Sequence, residues 1–165
     1  MKHYRGLIKF AVFIVVCAAI IWIILHITAE YPALGEPVSY EVNNIEGFNL
    51  TIEEPTYSIF KGYSIRYEIE IDSEEVYYLD NDSQEFEFLE CYIDGQWYRL
   101  ECQNEAIGFN VWDVGGRENT GFQGSLVQKY AGYGTRLEAG TYRFIMELTD
   151  QYGEFHYLAA EFNVE

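Results

Sequence analysis

Residues 63–72 read YSIRYEIEID, and this stretch decides the fold. Tyr63, Ile65, Tyr67, Ile69 and Ile71 alternate with Ser64, Arg66, Glu68, Glu70 and Asp72. A period of two with one apolar set is what a half-buried strand requires, because successive side chains leave opposite faces of a pleated chain. Working outward, residues 39–43, 48–52, 75–79, 85–93, 96–102, 122–129, 141–148 and 154–164 read as further strands, and no helical periodicity follows residue 30. Short strands divided by turn residues predict an antiparallel β-sandwich of seven to nine strands.

Asp94-Gly95 is the strongest turn signal in the chain. A two-residue hairpin needs left-handed backbone angles that these two residues tolerate. The turn fixes a register: Ile93 faces Gln96, Tyr92 faces Trp97, Cys91 faces Tyr98, Glu90 faces Arg99 and Leu89 faces Leu100. Leu89, Cys91, Ile93, Tyr98, Leu100 and Cys102 then share an apolar face, taken as core, and Tyr92 and Trp97 lie on the other. The glycine-rich residues 115–134 break the strand rhythm and read as two loops around one edge strand. They lack the GxxxxGK[ST] string and the following helix of a phosphate cradle.

At the other end of the chain, residues 10–29 contain no Asp, Glu, Lys or Arg, and they follow Lys2, Arg5 and Lys9. Twenty helical residues span roughly 30 Å, the thickness of a bilayer's hydrocarbon. The reading is a single transmembrane helix with residues 1–9 as a cytoplasmic basic flank and everything after it extracytoplasmic at the cell membrane. A cleaved signal peptide is the alternative, with Ala29 before the cut, although such apolar cores usually run only about 7 to 15 residues. Residues 30–46, opening with EYPALGEP, read as a stalk and first strand, and residues 47–165 as the sandwich domain.

Charge separates the two parts. The first 29 residues carry +3 against a total of −17, which leaves −20 outside. Such a surface repels nucleic acid and favours basic partners. No nucleophile elbow, HExxH or phosphate loop occurs, so neither a catalytic residue nor a cofactor is expected, and the reading is a non-enzyme. A metal site is not expected either. Zinc needs more ligands than Cys91, Cys102 and the one exterior histidine, His156, supply. Residues 80–85, DNDSQE, open like a calcium loop but place Glu85 where glycine belongs, and a solvated turn is the plainer reading. Residues 150–154, DQYGE, are likewise a hairpin turn. Cys91 and Cys102 sit four ladder positions apart, roughly 13 Å, against a Cα limit near 7 Å for a disulfide, so free thiols are favoured over a bridge.

Residues 137–144, LEAGTYRF, resemble the L-x-x-G-x-Y corner of immunoglobulin-like and fibronectin-like domains. With YIDGQWYRL at 92–100 and FHYLAAEFNV at 155–164, residues 47–164 resemble the bacterial immunoglobulin-like domains of exported Firmicutes proteins, except that Ala139 stands where proline is common. The resemblance implies a sandwich attached to a signal or anchor segment, a structural corner at Tyr142 whose hydroxyl bonds upstream backbone, and no catalytic residue. Twenty-nine aromatic residues exceed what one core needs. Tyr92, Trp97 and Trp112 are therefore the candidate binding surface, for a protein partner or, alternatively, a cell-wall or environmental glycan stacked on their rings.

Overall fold

A computed structural model describes residues 2–27, 29–58, 64–79, 86–102, 112–115, 121–127, 133–134 and 136–165. The candidate calcium turn at 80–85 and most of the long loops lie outside the described residues. In chain order the elements are α1 (Lys2–Ile27), β1 (Leu34–Pro37), β2 (Phe48–Ile52), β3 (Thr56–Tyr57), β4 (Ser64–Ile71) and β5 (Val76–Leu79). There follow β6 (Glu87–Ile93), β7 (Gln96–Leu100), β8 (Trp112–Gly115), β9 (Gly121–Val127), β10 (Gly140–Thr149) and β11 (Phe155–Val164). The chain divides into two units, Met1–Glu30 and Tyr31–Glu165.

The alternating stretch forms β4, the middle of a three-stranded antiparallel sheet between β2 and β9. Its apolar residues Ile65, Tyr67, Ile69 and Ile71 are all buried, while Arg66, Glu68 and Glu70 are exposed. The larger sheet has eight strands and runs β1-β7-β6-β10-β11-β3, with β5 joined to β10 at Thr149 and Tyr78 and paired along its length with β8. Its ladders are antiparallel except for β3, which lies parallel to β11.

The hairpin register at Asp94-Gly95 is the expected one, pairing Glu90 with Arg99, Cys91 with Tyr98, Tyr92 with Trp97 and Ile93 with Gln96. Both turn residues have positive φ, 50° at Asp94 and 89° at Gly95, as a primed turn requires. The two sheets meet face to face where Tyr67 of β4 stacks on Phe144 of β10, with centroids 4.8 Å apart. Around that contact Leu89, Met146, Leu148, Leu158 and Phe162 are almost fully enclosed. Each such side chain contributes about 1.5–3 kcal/mol by leaving water.

Several expectations need correction. Eleven strands occur among the described residues, not seven to nine. The expected stalk ends in β1, an edge strand bonded to β7. Residues 39–43 form no strand; they cross a sheet face and bond the margin of β11 through Asn43. Ile93, assigned to the core, is 41 % exposed, because a three-stranded sheet cannot cover the whole of an eight-stranded one. The face opposite the core is also partly covered: Phe88 and Glu90 are fully buried.

In α1 the described side chains are those of residues 10–24, and all are exposed except Cys17, which is half-buried. Among the described residues no helix is long and apolar enough to cross a membrane.

Candidate functional site

The exposed end of the intended core face opens into a groove of about 300 Å³. β6 contributes Cys91 and Ile93, β7 contributes Leu100, and the corner leading into β10 contributes Glu138, Thr141 and Tyr142. Tyr31, Pro32 and Leu34 close it from the segment around β1. Four large apolar side chains at this groove are well exposed: Tyr31 at 37 %, Leu34 at 48 %, Tyr92 at 46 % and Ile93 at 41 %. Clustered apolar exposure of this kind marks binding surfaces, whereas single exposed leucines do not.

The polar groups of the groove are held neutral or held in place. The Tyr142 hydroxyl donates to the Glu138 carbonyl at 2.8 Å, tying the corner to the strand it feeds. Burial pushes the Tyr142 phenol well above its usual range, with the negative charge of Glu138 adding to the effect. Burial likewise raises the Cys91 thiol, which keeps it protonated and a poor nucleophile. No disulfide joins Cys91 and Cys102. The Glu138 side chain is exposed, so one carboxylate stands at an otherwise apolar rim. Such an arrangement suits recognition of an apolar side chain next to a cationic one.

The sequence-predicted aromatics divide. Tyr92 and Trp97 come together, their rings 5.0 Å apart, but Trp97 is half-buried and the guanidinium of Arg143 lies 4.3 Å from its centroid. Arg143 Nε donates to Glu90 Oε2 at 2.5 Å, and the Tyr40 hydroxyl donates to Glu90 Oε1. Tyr40 also stacks on Tyr157 at 3.8 Å. Residues 38–43 thus lie over a buried ion pair on the outer face of the large sheet. Burial, reinforced by the hydrogen bond to Glu90, raises the Tyr40 phenol far above its normal range, so it stays a donor. Trp97 is part of this covered layer. Trp112 lies on β8 opposite Leu79, in a different ladder from β6 and β7.

A second group was missed by sequence reasoning. Asp150, Glu154 and His156, around the turn between β10 and β11, bring their donor atoms within 4.8 Å of one another. The available signal was the register itself: with a tight turn at 150–154, His156 faces Leu148, and Asp150, two residues further along, is its diagonal neighbour across the hairpin.

No protein-family model matches the chain, and no curated protein matches it.

Proposed function

We propose that this chain is a membrane-anchored, extracytoplasmic immunoglobulin-like module that binds a protein partner without performing chemistry. The observation that carries the reading is the groove rimmed by the exposed apolar side chains of Tyr31, Leu34, Tyr92 and Ile93, with Glu138 as its one carboxylate. Its partner segment presents an apolar side chain to the groove and a basic one to Glu138, and the −20 charge of residues 30–165 speeds the encounter. The immunoglobulin-like assignment is supported by the order β7-β6-β10-β11, the parallel β3 at its margin, the facing β2-β4-β9 sheet and the tyrosine corner at Tyr142.

Anchoring is supported by α1 itself. A helix that exposes Phe, Val, Ile and Trp on every side needs lipid or other helices to cover it. The uncharged run of residues 10–29 has the length of a span, and the basic flank Lys2, Arg5 and Lys9 favours a cytoplasmic start. A glycan stacked on Trp97 is the weaker alternative, since Arg143 already occupies one side of that ring.

Co-purification from native membranes tests the reading. Ile93→Asp places a charge in the groove at an exposed position and should abolish capture of the partner while leaving the urea midpoint of the full chain unchanged. Retained capture would overturn the groove as the docking surface. Protease added to intact cells should remove the β unit, and complete protection would overturn the orientation.

A further inference from the structure

We propose that Asp150, Glu154 and His156 form a binding site for a transition-metal dication of the zinc class. The site lies at the end of β10 remote from the groove, ten strand residues or roughly 30 Å away. Each residue offers one ligand atom, and the three atoms lie within 4.8 Å of one another. His156 Nε2 and Asp150 Oδ2 are 3.3 Å apart. Tetrahedral ligands at about 2.0–2.1 Å from zinc stand roughly 3.3 Å from each other, so one edge of the coordination figure is already set.

The backbone prepares the ligands. Asp150 Oδ1 accepts the N–H groups of Tyr152 at 2.8 Å and Glu154 at 2.9 Å, which leaves Oδ2 turned to the histidine. Asp150 N–H donates to the Glu154 carbonyl at 3.0 Å, so the turn is closed on both sides. The His156 ring stands edge-on to Tyr77 with centroids 5.5 Å apart, which restricts its rotation. One imidazole with two carboxylates suits zinc and its first-row neighbours; calcium prefers an all-oxygen shell. Three protein ligands leave a fourth position for water or for a donor from another molecule.

Zinc or cobalt titrated into the chelator-treated full chain in detergent tests the site. The expected result is one saturable equivalent, with a visible cobalt absorption typical of a nitrogen and oxygen set. His156→Ala should abolish it. Glu154→Gln, at an exposed side chain, should weaken it by at least about tenfold without moving the metal-free urea midpoint. Absence of saturable binding would overturn the proposal. So would equal affinity in wild type and both variants, which would assign the metal to His3, His26 or the thiols.

Discussion

The hydroxyls of Tyr142 and Tyr57 have opposite fates. That of Tyr142 is bonded to the Glu138 carbonyl, whereas that of Tyr57 is buried with no hydrogen-bond partner of good geometry among the described residues. Tyr142→Phe should therefore cost about 1–3 kcal/mol in urea unfolding, and Tyr57→Phe should cost nothing or add stability, since it removes a desolvated donor. Equal losses in the two variants would contradict the corner. Glu87 gives a pH test. Its carboxyl accepts the Tyr67 hydroxyl, yet burial raises its pKa above the ordinary 4.5. A raised acid binds its proton more tightly in the folded state, so stability is full below the unfolded value and falls as pH rises through the folded one. Glu87→Gln should unfold like wild type below about pH 4.5 and at higher urea at pH 7. The L-x-x-G-x-Y pattern made Tyr142 legible in the sequence. Glu90 was not legible, because alternation groups it with exposed Tyr92, and its partners Tyr40 and Arg143 stand 50 and 53 residues away.

At the level of elements, strands whose apolar face meets the core announced themselves. The reading of 48–52 matches β2 to the residue, and those of β4, β6, β10 and β11 differ from the structure by one or two positions. β3 and β8 were missed because two- and four-residue strands carry too little alternation to register. Residues 39–43 were misread for a physical reason: Tyr40 and Val42 do alternate and are partly buried, Tyr40 against Glu90 and Tyr157, but the segment joins no ladder. What fixes the crossing is Asn43, in a left-handed conformation at φ 57°. Its side chain accepts from Ala159 N–H at 2.8 Å and donates to Ala159 C=O at 3.0 Å, mimicking a neighbouring strand at the margin of β11. Asn43→Ala should lower stability by about 2 kcal/mol, through the two unpaired backbone groups and the lost conformational preference. Hydrogen exchange should rise at Ala159 before it rises at Phe144, and unchanged protection at Ala159 would contradict the role given to Asn43.

For the whole molecule, charge and apolar exposure divide the work. The apolar run of residues 10–29 and the −20 that follows it were both readable from composition. The groove was not, since it depends on how far a three-stranded sheet reaches across an eight-stranded one, which no local pattern encodes. Its rim joins Tyr31 and Leu34 to Tyr92 and Ile93 through the β1–β7 ladder. The most direct test of a protein-binding groove is a photocrosslinking side chain at Ile93 in the native membrane, with the same group at exposed Glu68 on the small sheet as reference. A covalent adduct to a protein should form from position 93, weaken as salt rises, and be missing from position 68. Lipid alone at position 93, or the same adducts from both positions, would contradict it.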